Sequence, residues 1–294
     1  MTLNKTMTID DIVDQLSDGM TIGIGGWATR RKPMALVRAI ARSSLKDLTV
    51  VAYGGPDVGL LAATGKIRKL IFSFVSMDQI PLEPHFRAAR QSAAFEILEL
   101  DEGLLHWGLR AAAMRLPFLP TRIGIGTDLL KQAELSRTVT SPFADGETLV
   151  AMPALRLDVA LLHVHRSDVR GNVLTLSPDP FFDELFSRAA EKTFVTAEKI
   201  VPTADLQMRV NSRFNLVERP LITGVAEAPF GAHPTSAAPD YQLDLGHLKT
   251  YVEGAASPEA WADYRAKFVD VTDDAYLAAV GGAEAVKSIP QPAY

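Results

Sequence analysis

Apolar residues in the first third of the chain fall into short continuous runs, separated by stretches of helical spacing. Ile9, Ile12, Val13 and Leu16 recur along one helical stripe, and Thr8 stands where an N-cap belongs. Asp18-Gly19 ends that helix, and Met20 to Gly25 reads as a buried strand. Pro33 then opens a helix whose apolar face is Met34, Leu36, Val37 and Ile40. Leu48 to Tyr53 is an apolar run of strand length, closed by Gly54-Gly55-Pro56-Asp57. A short helix through Leu60-Leu61-Ala62 ends at Gly65, and Lys69 to Val75 supplies a third strand. Strands alternating with helices over short connections predict the α/β class, with a mostly parallel sheet flanked by helices.

The pattern continues with a helix over Pro84 to Ala93, a strand over Phe95 to Leu100 and a helix from Asp101 to Leu116, stopped by Pro117 and Pro120. Thr121 to Gly126 reads as a short strand, and residues 127–147, polar and without periodicity, read as a loop or an excursion from the main fold. Val150 to Leu155, Val159 to His165, Thr193 to Ile200 and Leu221 to Ala226 are further strands, with a helix over Asp179 to Glu191. Pro229 to Asp240 reads as a fixed loop, and helices over Ser257 to Phe268 and Asp273 to Val280 follow. The expected organisation is one α/β domain over residues 1–240 and a C-terminal helical arm over 241–294.

Composition narrows the function classes. The 294 residues are 47% hydrophobic and 22% charged, as in ordinary globular proteins. A formal net charge of -5 argues against general nucleic-acid binding, so the cations at Arg30 to Lys32 are a local feature. With no cysteine, thiolate metal sites and cysteine nucleophiles are excluded, and a reducing cytoplasm is the expected setting. Met1 to Asp11 is polar and unlike a secretory signal, and no apolar run approaches the roughly 20 residues that span a bilayer.

The first candidate for chemistry is Gly23-Ile24-Gly25-Gly26-Trp27-Ala28-Thr29-Arg30-Arg31-Lys32-Pro33. Glycines that turn backbone N–H groups inward, a helix start and three cations suit a phosphate or a developing oxyanion. A tight strand-to-helix turn with a solvated basic edge accounts for the same residues. Gly23, Gly25 and Ala28 fit Gly-x-Gly-x-x-Ala, but the second strand ends Ala52-Tyr53-Gly54-Gly55 without the acid that would hold a ribose, which disfavours a nicotinamide site. Asp101-Glu102 has two readings: an N-cap with a first-turn acid, or a carboxylate at the carboxyl edge of a parallel sheet that acts as a general base. His163 and His165 face one side of their strand. Without a third acidic ligand nearby, packing and hydrogen bonding account for them better than a metal does, and His233 sits in a constrained Gly-Ala-His-Pro loop.

Taken in order, these segments resemble the alpha subunits of the family I coenzyme A transferases. The resemblance is carried by Asp18 to Gly26, Arg31-Lys32-Pro33, Gly54-Gly55, Leu116 to Pro120, Asp158 to His163 and Gly171-Asn172. Arg-Lys-Pro after the glycines and Gly231 to Pro234 place it near the glutaconate branch. Within that branch, Trp27 to Met34, Tyr53 to Asp57 and Ala151 to Asp158 are similar to the alpha chains of hydrolases that open the last ring in steroid catabolism. Residues 127–147 and the C-terminal segment depart from the pattern.

The resemblance implies a homologous beta partner, commonly in an α2β2 assembly, an acyl-CoA substrate and no cofactor or metal. It makes Glu102, in Asp101-Glu102-Gly103, the catalytic base for hydrolytic carbon–carbon cleavage, an acid the glutaconate transferases lack. Gly25, Gly26, Gly54 and Gly55 become expected donors to developing negative charge, and Arg30, Arg31 and Lys32 expected contacts for the substrate carboxylate or CoA phosphates. The alternatives are CoA transfer through a glutamate carried by the beta chain, and a non-catalytic binding subunit.

Overall fold

Apolar runs buried on both faces are the mark of parallel strands covered by helices. The chain follows that rule in a computed structural model that describes residues 3–132 and 134–290. After helix α1 (Ile9–Val13), the elements β1 (Thr21–Trp27), α2 (Met34–Arg42), β2 (Leu48–Gly54), α3 (Pro56–Ala63), β3 (Ile67–Val75), α4 (Pro84–Gln91), β4 (Glu96–Glu99) and α5 (Glu102–Ala113) alternate. The small strands β5 (Phe118–Thr121), β6 (Thr138–Thr140) and β7 (Thr148–Pro153) come next. They are followed by β8 (Leu157–Ser167), β9 (Val173–Leu174), α6 (Asp183–Ala189), β10 (Ala190–Ile200), the one-turn helix α7 (Met208–Asn211) and β11 (Ile222–Glu227). Helices α8 (Leu245–Gly254), α9 (Pro258–Phe268), α10 (Asp273–Ala279) and α11 (Gly282–Lys287) close the described chain.

Among the described residues, the main sheet runs in the order β11-β10-β8-β1-β2-β3-β4, with every neighbouring pair parallel and β9 added antiparallel to β8. Ile22 pairs with Val50 on one side and Val159 on the other, which puts β1 at the centre. Strand alternation divides the core in two. Val50, Ala52, Leu70 and Phe72 face α2, α3 and the C-terminal helices, where Leu248, Tyr251 and Phe268 join the same cluster. Val51, Tyr53 and Ile71 face the opposite way, onto Leu104, Leu105 and Leu109 of α5 and Phe186 of α6. Thr8 caps α1 as expected, in a reciprocal capping box with Asp11.

Three expectations change. The strand expected at Thr121 to Gly126 lies at Phe118–Thr121, where it pairs antiparallel with β7. Pro120 is tolerated there because β5 is an edge strand and needs no ladder donor at that position. The segment 127–147 is not simply a loop: it holds a 3-10 turn at Asp128–Lys131 and strand β6 on the other edge of β7. The helix expected over 179–191 is confined to Asp183–Ala189, because Phe181 and Phe182 take left-handed backbone angles (φ 52° and 62°) and β10 begins at Ala190. Helix α8 lies outside the expected elements, although Leu248 and Tyr251 carry a helical stripe into the core.

No helix of the described residues is long and apolar enough to cross a membrane.

Candidate active site

Chain order in the sheet decides where a ligand can sit. From β1 the chain steps outward through β2, β3 and β4, then returns to β8 on the other side of β1, so a crevice opens outside the carboxyl ends of these strands. The segments that leave β1, β3 and β4, together with residues 178–181, line a cleft of about 680 Å3 there. Its walls carry Trp27, Phe74 and Phe181, and its polar groups are Arg30, Asp78, Glu102 and Asp179. Trp27 lies 5.7 Å from Phe74 and 6.0 Å from Phe181, centroid to centroid, so the rings form one aromatic surface.

Glu102 is the first residue of α5. Asp101, the N-cap, accepts the Gly103 N–H at 2.7 Å, which fixes the helix start, and the backbone carbonyl of Glu102 accepts a long 3.4 Å contact from the Tyr53 hydroxyl. Asp101 therefore caps the helix, as one reading of Asp101-Glu102 expected, and Glu102 lines the cleft. Partial burial, with the carboxylates of Asp101 and Asp179 behind it, raises the pKa of Glu102 above the ordinary range. A carboxylate in that state is a stronger base than a solvated one.

The three consecutive cations part ways. Arg30 reaches the cleft, half exposed, with Nη1 3.2 Å from both oxygens of Asp78. Arg31 and Lys32 were expected to meet substrate, and the structure corrects both. Arg31 is buried, and its guanidinium pairs with Asp183 and donates to the His163 carbonyl at 2.8 Å, to Ser177 Oγ at 3.1 Å and to the Pro180 carbonyl at 3.0 Å. Lys32 is fully buried with Nζ 3.0 Å from Asp57 Oδ2, an ion pair off the hydrogen-bond direction. Burial lowers the pKa of Lys32 while Asp57 opposes the shift. Neither side chain has a free face for a ligand.

The glycines are corrected in the same way, since none of Gly25, Gly26, Gly54 and Gly55 lines the cleft. The Gly26 N–H donates to Asp183 Oδ1 at 3.1 Å and the Gly55 N–H to Asp57 Oδ1 at 2.7 Å, so these two amides are occupied inside the protein. Close approach explains why the residues are glycine. A Cβ on Gly55 would stand 2.0 Å from the Ala28 carbonyl oxygen, and one on Gly26, at φ 74°, 2.5 Å from that of Arg30. At Gly25 it would meet Leu162 at 2.5 Å, and at Gly54, Val58 at 2.9 Å.

The histidines are held within the fold. His163 lies between Thr196 Oγ1 (2.9 Å) and Glu198 Oε1 (2.8 Å), and Glu198 also accepts from the Tyr241 hydroxyl at 2.6 Å. His165 Nδ1 accepts the Leu176 N–H at 2.9 Å, which assigns its proton to Nε2, facing the Ala238 carbonyl. His233 bridges Tyr276 (2.7 Å) and Asp244 (3.0 Å). Among the described residues, no group of three His, Cys, Asp or Glu is placed to hold a metal. Sequence reasoning missed Asp78, Asp179, Phe74 and Phe181 as cleft residues. The one signal was the Ser177-Pro178-Asp179-Pro180 turn, a rigid segment between strand and helix.

Residues 6–213 match the family model described as coenzyme A transferase. The chain belongs to the coenzyme A transferase family. It is 49% identical over 284 residues to the cholesterol ring-cleaving hydrolase IpdA subunit of Mycobacterium tuberculosis, covering 94% of this chain and 97% of that one. The protein of the same name from Rhodococcus jostii is 47% identical over 283 residues, covering 94% and 96%. A glutaconate CoA-transferase chain from Acidaminococcus fermentans is 28% identical over 99% of this chain and 97% of its own length. The crystal structure of that coenzyme A-transferase superposes with a TM-score of 0.89 at 26% identity, covering 96% of this chain and 94% of that chain. The parallel sheet flanked by helices is thus the fold of the family.

Proposed function

We propose that the chain is the alpha subunit of a hydrolase that opens the last steroid ring by cleaving a carbon–carbon bond in a cyclic β-keto acyl-CoA. It works with a homologous beta subunit, in an α2β2 assembly, and without a cofactor beyond the CoA thioester of the substrate. The observation that carries the reading is Glu102, a carboxylate of raised basicity at the mouth of an aromatic cleft. Ring-cleaving hydrolase subunits nearly half identical over almost their whole length support it.

Glu102 takes a proton from water, and the hydroxide adds to the ring ketone. The tetrahedral alkoxide collapses to a carboxylic acid as the ring C–C bond breaks, its electron pair passing to the carbon next to the thioester. That carbanion takes the proton from Glu102. Water is consumed, and the carboxylate is restored. Trp27, Phe74 and Phe181 give an apolar ring a surface to lie on, and Arg30 offers a guanidinium for a substrate carboxylate.

Glu102→Gln in the co-expressed pair should lower ring opening by about 100- to 10,000-fold while the melting temperature stays put. Turnover near wild type in that variant refutes the assignment. CoA transfer is the second reading, favoured by the glutaconate CoA-transferase relative. Product that requires added acetate would establish it, and ring opening in water alone would exclude it.

A further inference from the structure

The cleft holds three carboxylates, and their partners differ. Asp101, just outside, commits Oδ1 to the Gly103 N–H. Asp78 is matched by Arg30 and by the Thr29 hydroxyl. Asp179, exposed at the cleft, has no cation paired with it among the described residues. Its Oδ1 accepts the Phe181 N–H at 2.9 Å, and its Oδ2 has no hydrogen-bond partner among the described residues. The nearby Arg31 does not neutralise it, because that guanidinium is committed to Asp183 and touches Asp179 only at the backbone carbonyl, 3.5 Å from Nη2.

The backbone around Asp179 is held under strain. Phe181 and Phe182 are successive aromatic residues with positive φ, a conformation that costs on the order of 1–3 kcal/mol per residue and persists only where the surroundings enforce it. Enforcement comes from Arg31, which binds the carbonyls of Asp179 and Pro180, and from Ser177, whose hydroxyl donates to the Asp179 carbonyl at 3.2 Å. The strained pair sends Phe181 to Trp27 in the cleft and Phe182 under α5, 4.6 Å from His106 and 5.2 Å from Tyr53. The turn that presents Asp179 to the cleft is thereby anchored beneath the helix that begins at Glu102.

We propose that Asp179 is a positioning residue of the reaction, an unneutralised carboxylate held in the cleft whose charge strengthens Glu102 as the base that takes the proton from water. This rests on the role given to Glu102 above. The other groups around Glu102 are Asp101, His106 and Arg110 on its own helix, the Tyr53 hydroxyl from β2, the Arg30–Asp78 pair from the loops after β1 and β3, and Glu184 on α6. Glu184 bears on Tyr53, and His106 accepts from Arg110 and has its pKa lowered by burial and by Arg110. Arg30–Asp78 is internally compensated, and Asp101 caps the helix, so Asp179 is the charge that can be removed without breaking another contact. The direction of the Glu102 pKa shift, with Asp179 among its causes, agrees.

The test is the pH dependence of kcat for the co-expressed pair acting on a cyclic β-keto acyl-CoA, in wild type, D179N, D179E and E102Q. Asn keeps an oxygen for the Phe181 N–H and removes only the charge. The acid limb of the D179N profile should move down by a few tenths to about one pH unit, and D179E should return it to the wild-type position. Raising the salt should move the wild-type limb in the same direction as D179N. An unmoved or raised limb in D179N, or a D179E limb displaced as far as that of D179N, overturns the proposal. If D179N does not assemble with its partner, D179S keeps a hydroxyl acceptor for the turn and takes its place. Activity retained by E102Q would refute the base itself, whatever the Asp179 variants do, so the two failures are separable.

Discussion

Replacing Lys32 by Met separates a structural role from a ligand-binding one. Lys32 Nζ and Asp57 Oδ2 lie 3.0 Å apart, and both side chains are fully buried. Removing the ammonium strands the Asp57 carboxylate in the interior, and breaking a buried pair this way costs about 3–5 kcal/mol. Asp57 Oδ1 still accepts the Gly55 N–H at 2.7 Å, which stabilises the lone anion and favours the lower half of that range. At about 2–4 °C per kcal/mol for a protein of this size, the melting temperature should fall by roughly 6–16 °C. Asn at 57 keeps an oxygen for Gly55 and carries no charge. K32M/D57N should therefore recover most of the loss, since neutral replacements of buried pairs are often neutral or stabilising. Thermal unfolding of wild type, both single variants and the double variant closes the cycle. A loss below about 1 kcal/mol in K32M, or a double variant as unstable as the two singles combined, refutes the reasoning. An unchanged melting temperature with a raised KM would return Lys32 to the substrate.

Other consequences follow from the same contacts. Gly55→Ala puts a Cβ 2.0 Å from a backbone oxygen that cannot rotate away, so thermal unfolding should show a loss of more than about 2 kcal/mol; a neutral alanine would contradict the close packing of the β1 and β2 exits. Glu83 is buried, accepts from the Tyr251 hydroxyl at 2.6 Å, and has its pKa pushed by burial from 4.5 up to about 7. Its folded-state value lies above the unfolded one, so the folded chain holds the proton that the unfolded chain releases. The stability Glu83 contributes is full below about pH 4.5 and is lost as pH rises towards 7. Relative to Glu83→Gln, the wild-type melting temperature should therefore drop across that window, and parallel profiles would exclude the effect.

Sequence alone carried the sheet and the place of Asp101-Glu102 at its edge. Continuous apolar runs are the pattern of strands buried on both faces, and the strand alternation seen at Val50 to Tyr53 follows from it. Asp101-Glu102 was legible because a capping acid and a first-turn acid at a strand exit point to the edge where parallel sheets bind ligands. Residues 122–126 depart from the expected strand because pairing forms earlier, through a proline that only an edge position tolerates. The fates of Arg30, Arg31 and Lys32 were beyond any local reading. Three adjacent cations have the same local sequence, but the backbone turns through positive φ at Gly26, Ala28 and Arg31. That turn sends one side chain to the cleft and two into the interior, where Asp183 and Asp57, 152 and 25 residues further along the chain, meet them. Asp78 and Asp179 come to the cleft that Glu102 lines by the same route, from loops after β3 and before α6. Period and propensity act within a few residues and are written in the chain. Charge pairing and the shape of the cleft arise between strands far apart in sequence, so only the packed sheet decided them.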